Sequence, residues 1–363
     1  LINMKCGIVG LPNVGKSTLF NCLSKSKALA ANYPFATIEP NVGIIPVPDQ
    51  RLDLLSELIS PQNVQSAIIE IVDIAGLVKG ASKGEGLGNK FLANIRETNA
   101  IIHVLRCFED SNITHVDGVI DPLADKDTVE LELQLKDLET LEKKKDNLKR
   151  IAASGDKTAI KELEVINQYY EHILSGRSAR TLNLVNKECV LNLNLLTNKP
   201  VLYVCNVDEK SINGNKYTDL VHASIKTEKS EMLIISAAIE ADINELESTE
   251  DRNEFLKEMG LKEPGINKVI QSAYSLLGLQ TFFTAGEKEV RAWTIKKGAL
   301  APEAAGVIHT DFETGFIRAE VISFNDRIDF KTEHACREAG KISIEGKNYE
   351  VCDGDVIHFR FNV

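Results

Sequence analysis

The stretch Gly10-Leu11-Pro12-Asn13-Val14-Gly15-Lys16-Ser17-Thr18 decides the fold of this chain, and the apolar run Cys6-Gly7-Ile8-Val9 precedes it. It matches G-x-x-x-x-G-K-[ST] at every fixed position, and its context predicts a strand, a glycine-rich turn and a helix that begins near Lys16. The glycines let the backbone curl closely around phosphate groups, while consecutive N–H groups and the positive helix end point inward. We therefore predict a phosphate-binding loop.

The residues of this loop have separate predicted roles. Lys16 reaches the outer phosphates and stabilises their charge, and the Ser17 hydroxyl ligates Mg²⁺. The phosphates are held by residues from the second half of the loop, namely Asn13, Val14, Gly15, Lys16, Ser17 and Thr18.

Two later segments fit a nucleotide-dependent switch. The proline-broken loop 31–40 contains Thr37, which supplies a second hydroxyl to Mg²⁺ in our interpretation, although a lone threonine in a loop is also a common turn residue. The predicted strand 68–73 ends in Asp73, which suits a water-mediated Mg²⁺ contact, and the N–H of Gly76 senses the γ-phosphate. The glycine-rich segment 79–88 is predicted to be a mobile second switch.

The group that orients the attacking water is less evident. Many related hydrolases place a glutamine after the switch glycine, but Leu77 has no hydrogen-bonding group. His115, in the polar loop after the predicted strand 101–106, is our candidate for orienting water or accepting its proton. His103 lies inside an apolar run, so we predict a buried structural histidine there.

A charged segment with helical spacing extends from about residue 127 to residue 175. Its first predicted apolar stripe is Leu131, Leu135, Leu138, Leu141 and Leu148, and its second is Ile160, Leu163, Ile166, Tyr169, Tyr170 and Ile173. A turn at 152–156 separates the stripes, which predicts an antiparallel helical hairpin that projects from the nucleotide domain.

The tip of this hairpin is basic. Its cations are Lys143, Lys144, Lys145, Lys149, Arg150, Lys157 and Lys161. Such a charge run is usually a solvated helix face. On an acidic protein it also supports a contact with RNA or the ribosome, and both interpretations stay open.

The predicted strand 199–205 leads into Asn206-Val207-Asp208-Glu209. Guanine-specific relatives have Asn-Lys-x-Asp here, with the aspartate accepting from two guanine donors. Val207 replaces the lysine, and Glu209 has one methylene more than aspartate. We expect guanine discrimination to be lost. The segment 232–238, predicted to be the last strand and the turn on the base side, and a helical stretch at 252–277 complete this part.

The C-terminal region restarts at residue 280 and is predicted to be a mixed α/β module of about eighty residues. It contains no metal cluster or nucleophile constellation in the sequence, so binding is the expected role. Its predicted strands cover 289–295, 316–321, 341–344, 348–352 and 356–361.

Composition limits the classes of function. The 363 residues are 43% hydrophobic and 26% charged, with a net charge of −11, so general attraction to nucleic acid or anionic membrane is not expected. Seven cysteines without a C-x-x-C pair indicate reduced thiols. No apolar run has the length of a membrane span. We expect a cytoplasmic monomer without membrane contact.

With these motifs in view, the chain resembles the YchF family, the Obg-like ATPases of the translation-factor-related P-loop GTPase class. The resemblance covers the whole chain. It rests on the phosphate loop and on four further segments, Asp73-Ile74-Ala75-Gly76-Leu77-Val78-Lys79-Gly80, Arg291-Ala292-Trp293-Thr294-Ile295, Gly306-Val307-Ile308-His309-Thr310-Asp311-Phe312-Glu313 and Asp353-Gly354-Asp355.

The resemblance implies a preference for ATP over GTP, with the Asn-x-x-Glu of Asn206 and Glu209 in place of Asn-x-x-Asp. It also implies that Phe108 packs on the adenine and that His115 is the catalytic group. Asn13 corresponds to an asparagine that helps to hold an activating K⁺ in related hydrolases. Ribosome association is a further family trait, and it agrees with the basic tip.

The expected fold is an α/β P-loop NTPase domain with a mixed sheet, an inserted antiparallel helical hairpin and a C-terminal β-grasp (TGS) domain. The predicted boundaries are 4–127 with 196–278 for the nucleotide domain, 128–195 for the hairpin and 280–363 for the TGS domain. We expect Mg²⁺-dependent hydrolysis of ATP to ADP and phosphate by a ribosome-associated switch that docks through the basic tip and the TGS domain. The alternatives are a GTPase of the same fold, and a ribosome- or RNA-binding scaffold with incidental turnover.

Overall fold

The computed structural model describes residues 4–25, 41–75, 87–113, 118–184, 188–228 and 230–362, which form two six-stranded sheets with helices packed on them. The strands are β1 (Lys5–Val9), β2 (Val42–Pro46), β3 (Asn63–Gln65), β4 (Ile68–Asp73), β5 (Ala100–Arg106), β6 (Val201–Asn206), β7 (Glu231–Ile235), β8 (Leu279–Ala285), β9 (Glu289–Lys296), β10 (Phe316–Ile322), β11 (Ser343–Glu345) and β12 (Val356–Phe361).

The helices of the described ranges lie between strands in both sheets. They are α1 (Lys16–Lys25), α2 (Gln50–Ile59), α3 (Leu87–Arg96), α4 (Pro122–Ala152), α5 (Lys157–Leu174), α6 (Glu188–Leu191), α7 (Lys216–Ile225), α8 (Ala237–Glu245), α9 (Thr249–Glu258), α10 (Gly265–Leu276), α11 (Ala301–Ile308), α12 (Thr310–Thr314), α13 (Phe324–Phe330) and α14 (Glu333–Glu338). Among the described residues, no helix is both long and apolar enough to span a membrane.

The first sheet confirms the predicted α/β nucleotide domain. Its order is β2-β4-β1-β5-β6-β7, and every neighbouring pair is parallel except β2 with β4. The central strands β5 and β6 are buried along their whole length, as expected for a parallel sheet covered on both faces. Because β1, β4 and β6 end on the same edge, Asp73 and Asn206 lie beside the loop that follows β1.

The helical hairpin is confirmed, with α4 and α5 antiparallel around a turn at residues 153–156. Asp121 caps α4, so this helix begins at Pro122 and crosses the predicted domain boundary at 127/128. Asp156 caps α5, since its carboxylate accepts from the N–H groups of Thr158 and Ala159 at 2.8 and 2.9 Å.

Two members of the predicted hairpin stripes are wrong. Leu131 is 53% exposed and Ile160 is 40% exposed, whereas Leu133 is buried. The inward face of α4 instead includes the polar residues Glu130, Gln134 and Asp137. The stripe is confirmed toward the tip, where Leu138, Leu141 and Leu148 pack in the hairpin core, and it fails at the base, where polar side chains occupy core positions.

A buried charge cluster holds that base against the first sheet. Arg180 pairs with Glu130 and, at 2.8 Å, with Glu228, and Lys126 also reaches Glu228 at 2.8 Å. Burial raises the pKa of Glu130, but attraction by Arg180 and Lys126 outweighs it and keeps the pKa below its ordinary value. The Tyr203 hydroxyl donates to Glu228 at 3.1 Å. The hairpin is therefore fixed to β6 by paired charges.

The structure sets the bounds of two predicted segments before the second sheet, one containing a strand and one helical. Within the segment predicted as strand and turn at 232–238, the strand ends at Ile235, because Ser236 caps α8. The helical stretch predicted at 252–277 consists of α9 and α10. The break between them contains Gly260 at φ +69° and Pro264, which precedes α10.

The second sheet has the order β11-β10-β12-β8-β9-β3 and confirms a C-terminal α/β unit; its assignment as a β-grasp TGS domain stays a prediction. The strand predicted at 348–352 is wrong. Only an isolated bridge joins Glu350 to Leu300, because the Asp355 carboxylate accepts from the Cys352 N–H and the Tyr349 hydroxyl and bends the chain into a turn.

The sixth strand of this sheet comes from the first 127 residues. β3 pairs in parallel with β9, with Val64 opposite Val290. Arg51 at the start of α2 reinforces the junction, because its guanidinium pairs with Asp353 at 2.8 Å and with Asp49 at 2.8 Å. Burial lowers the pKa of Arg51, but attraction by these two carboxylates outweighs that effect, so the pKa lies above its ordinary value. The two units are thus joined through backbone and side chains.

Candidate phosphate-binding site

The predicted loop joins β1 to α1 and has a strongly curved backbone. Asn13 at φ +64° and Gly15 at φ +92° are both left-handed. A Cβ atom at Gly15 would lie 2.2 Å from Nδ2 of Asn206, and one at Gly10 would lie 2.8 Å from the Val104 carbonyl oxygen. Both positions therefore need glycine, which explains the spacing of the motif.

The loop presents its polar side to the open end of α1. The Val14 side chain is 1% exposed and anchors the loop in the core, whereas Ser17 and Thr18 are exposed on the first turn of the helix. Helix α1 has ten residues and no acidic side chain in its first turn. Its free N–H groups and positive dipole end are therefore available to an anion.

Lys16 and Asp73 form an ion pair at the mouth of this loop. Lys16 is 9% exposed, and Asp73 lies at the carboxyl end of β4. The structure thus brings together two predicted site residues that are 57 positions apart in the sequence. A triphosphate in the loop would compete for the lysine, and the carboxylate would then be free to accept hydrogen bonds or metal-bound water.

Ser17 is exposed on the first turn of α1, and Asp73 pairs with the neighbouring Lys16, so both offer oxygen atoms near the loop. Hydroxyl and carboxylate oxygens suit a hard divalent cation that is also held by phosphate oxygens and water. Within the described ranges, no cluster of three or more His, Cys, Asp or Glu side chains is placed to hold a metal by itself. The donor set therefore fits a cation that arrives with a phosphate ligand.

Asn206 connects the loop to the turn after β7. Its Nδ2 donates to the Val14 carbonyl at 2.9 Å, and its Oδ1 accepts from the Ala237 N–H at 2.9 Å. The side chain is only 4% exposed, and both ends of its amide bond to backbone groups. The structure thus shows that Asn206 positions the phosphate loop, a role that the sequence interpretation missed.

The other two residues of the Asn-x-x-Glu segment differ in placement. The Val207 side chain is 3% exposed and packs in the core, while its N–H donates to the Ile235 carbonyl at 2.9 Å. Glu209 is exposed on a short 3₁₀ turn that Asp208 caps. Of the two, only Glu209 presents its side chain to solvent.

Phe108 lies on a loop that Arg106 organises. The buried Arg106 guanidinium donates to the carbonyls of Phe108, Asp110 and Ile113 at 3.1 to 3.3 Å and lies 4.7 Å from the centroid of the Phe108 ring. Asn215 adds a bond to the Cys107 carbonyl at 2.7 Å. Sequence reasoning missed Arg106, although a charge at the end of an apolar strand is a usable signal.

Three predicted site residues, Thr37, Gly76 and His115, lie outside the described residues, as do Leu77 and most of the segment 79–88. His103 is buried as predicted, at 2% exposure, but its Nε2 has no hydrogen-bond partner among the described residues. Burial lowers its pKa to about 4, so the imidazole is neutral at physiological pH.

Comparisons with known proteins agree with this architecture. Residues 5–152 match the family model described as 50S ribosome-binding GTPase. Residues 279–362 match the YchF-GTPase C-terminal model, described as a protein of unknown function (DUF933).

Full-length relatives are also similar. The chain is 55% identical to the protein named ribosome-binding ATPase YchF of Haemophilus ducreyi, with all of both chains covered. It is 51% identical to the protein of the same name of Bacillus subtilis, with 99% of this chain and 100% of that protein covered. The solved Schizosaccharomyces pombe YchF GTPase is 40% identical, covers 99% of this chain and 98% of its own, and has a TM-score of 0.90. This chain therefore belongs to the YchF family.

Proposed function

We propose that this protein hydrolyses ATP to ADP and phosphate and acts as a nucleotide switch on the ribosome. The observation that carries the proposal is the curved loop at Gly15, with Lys16 and Asp73 at its mouth and the open end of α1 behind it. The bacterial relatives are named ribosome-binding ATPases, which supports both halves of the proposal.

The chain's own groups have distinct parts in this reaction. The N–H groups of residues 13–18 hold the phosphates in place. Lys16 breaks its ion pair with Asp73, and its ammonium group then neutralises the charge that builds on the outer phosphate oxygens. The Gly76 N–H reports the presence of the γ-phosphate. Phe108 stacks on the adenine, in an orientation that Arg106 fixes.

Mg²⁺ is the cation that we assign to this site. Ser17, Thr37 and Asp73 would hold it, the last through water, and the ion would supply charge neutralisation between the phosphates. We propose K⁺ as a second cation, which Asn13 would help to hold. Asn13 is left-handed at φ +64°, which turns the loop backbone at that residue.

His115→Ala tests the group proposed to orient water. We expect kcat to fall by about 10²-fold with little change in ATP affinity, because the imidazole would act mainly in the transition state. Single-turnover phosphate release and calorimetric titration measure the two quantities. His334→Ala, at an exposed position on α14, is the matched control. Unchanged turnover in His115→Ala would remove this residue from the mechanism.

Glu209→Asp tests the assignment of adenine as the preferred base. The unsubstituted protein should bind ATP more tightly than GTP, because Glu209 is one methylene too long for the two-donor edge of guanine. Shortening this exposed side chain should raise the ratio of GTP to ATP affinity about tenfold. Competitive calorimetry measures the ratio, with Glu258→Asp on α9 as the control.

The GTPase alternative retains some support, since the solved fission-yeast relative is titled a GTPase. Tighter binding of GTP than of ATP by the unsubstituted protein would establish that alternative and overturn the adenine assignment.

We further propose that the hairpin tip contacts the ribosome, together with the C-terminal unit, and that RNA is part of this surface. Several tip cations already have partners in the described chain. Lys143 pairs with Glu139 at 2.6 Å, Lys144 with Glu162 at 3.6 Å, and the Lys145 ammonium lies 4.6 Å from the Tyr170 ring centroid. The exposed cations Arg150, Lys157 and Lys161 are therefore better positioned for an external anion.

The triple substitution Arg150→Glu, Lys157→Glu and Lys161→Glu should weaken ribosome binding at least about tenfold at low salt. A control with the same charge change is Lys257→Glu on α9, Lys262→Glu between the helices and Lys268→Glu on α10. Co-sedimentation with purified ribosomes measures binding, and phosphate release is followed in parallel. Lost docking with intact hydrolysis would favour the scaffold alternative for the tip, and equal binding by the triple and control variants would exclude the tip as the contact.

The remaining proposals concern the cellular setting. We infer a cytoplasmic monomer without membrane contact, because the proposed partner is the ribosome and none of the described cysteines forms a disulfide.

A further inference from the structure

The C-terminal sheet divides between β8 and β12. These parallel strands share one paired position, Val356 opposite Phe283, where the Phe283 N–H donates to the Asp355 carbonyl at 2.7 Å. Beyond it, β8 turns back into β9, while β12 continues along β10 to Phe361. No strand of the described ranges pairs with the β8-facing edge of β12 at residues 358–361. We call this opening the β8/β12 fork.

The free edge of β12 carries unpaired backbone groups. Successive residues of a strand direct their N–H and C=O groups to opposite sides. Asp355 directs its carbonyl toward β8, so Ile357 and Phe359 point the same way. At Phe359 no backbone partner from the described chain follows on that side. Such an edge is a template for the addition of another strand.

A cavity of about 710 Å³ fills the fork. The consecutive residues Ile357, His358 and Phe359 all line it. Successive side chains of a strand point to opposite faces of the sheet. A cavity that contacts Ile357, His358 and Phe359 therefore lies along the edge of β12 and not over one face. The opening therefore has the position that an added strand would occupy.

The side chains that line the cavity limit the class of ligand that it can bind. Phe312 and Phe361 stack with ring centroids 3.7 Å apart, and Trp293 completes the apolar wall. The charged groups of the lining are four glutamates and one lysine. Glu320 already pairs with Arg318, Arg337 and Arg360, and Arg291 lies over the Trp293 ring, so the acidic rim consists of Glu287, Glu289 and Glu333 beside Lys288. An acidic rim repels phosphate and attracts lysine or arginine. The lining thus disfavours nucleic acid.

We propose that the β8/β12 fork binds an extended polypeptide segment in which basic and apolar residues alternate, by adding it as a strand to the free edge of β12. Backbone hydrogen bonds supply general affinity in this mode, and the aromatic wall and acidic rim select alternate side chains. The site is separate from the phosphate loop and does not depend on nucleotide turnover.

Trp293 is the only tryptophan of the chain and lines the fork, so its fluorescence reports on the site directly. The probe is a capped octapeptide of alternating lysine and valine, titrated into the full-length protein. We expect a saturable change in tryptophan emission. A peptide with proline at each valine position lacks the backbone donors for pairing and should bind at least about tenfold more weakly.

The charge selection is tested with Glu287→Lys plus Glu289→Lys, which should weaken peptide binding at least about tenfold. Glu254→Lys plus Glu258→Lys on α9 makes the same charge change away from the fork and should leave binding unchanged. Unaltered ATP affinity verifies that each variant is folded. No saturable signal up to about 1 mM peptide, equal binding of the proline peptide, or tighter binding of an eight-nucleotide uridine RNA would overturn the proposal.

Discussion

Lys16→Met should lower the kcat for ATP hydrolysis by about 10³-fold, the largest catalytic effect that we expect from a single substitution in this chain. Methionine keeps most of the apolar stem of lysine but removes the charge that would face the outer phosphates. The structure places this ammonium at the mouth of the loop, where it pairs with Asp73 and is 9% exposed. Phosphate release under saturating ATP measures the effect.

The matched control for this substitution is Lys262→Met, which removes an exposed lysine between α9 and α10 and should leave kcat unchanged. ATP affinity should fall far less than kcat in Lys16→Met, since the backbone N–H groups of the loop still hold the phosphates. A kcat within about threefold of the unsubstituted protein would contradict the role given to Lys16.

Gly15→Ala should reduce both stability and nucleotide binding. The new Cβ would lie 2.2 Å from Nδ2 of Asn206, at a backbone φ of +92°. Relief of this overlap requires the Asn206 amide to leave Val14 and Ala237, and the left-handed backbone adds strain. We expect the free energy of unfolding to fall by about 2–4 kcal/mol and ATP affinity to fall at least about 100-fold.

Gly260→Ala is the control that separates two effects of the Gly15 substitution, the steric overlap with Asn206 and the strain of a left-handed backbone. Gly260 has φ +69°, and no heavy atom lies within 4 Å of its added Cβ. This variant should lose only about 1–2 kcal/mol and bind ATP normally. Urea denaturation and calorimetry compare the two proteins. Equal losses of stability in both variants would show that contact with Asn206 is not what requires glycine in the loop.

Most of the fold could be predicted from the sequence because its central elements have strong patterns. β4 was expected at 68–73 and is found there, and the two long helices of the hairpin appear on either side of the expected turn. The failures have physical causes. β3 has the polar sequence Asn63-Val64-Gln65, which shows no strand periodicity, and its pairing with β9 is decided only by tertiary contacts.

The candidate site could be predicted for residues whose roles are specified by a short sequence motif. Lys16, Ser17 and Asp73 stand in motifs whose spacing already specifies their positions, and the structure places Lys16 against Asp73. The contribution of Asn206 is not local, because its two partners lie 192 and 31 residues away in the sequence. Sequence spacing identifies such a residue but not the contacts through which it acts.

The pairing of β3 with β9 also has a consequence for biosynthesis. Residues 63–65 leave the ribosome about 225 residues before their partners at 289–291 are made. At about 5 to 20 residues per second this delay is on the order of 10 to 50 seconds, during which residues 63–65 lack their strand partner. The outer edge of the second sheet, which β3 forms, can therefore be completed only in the last quarter of translation, after β9 has been made.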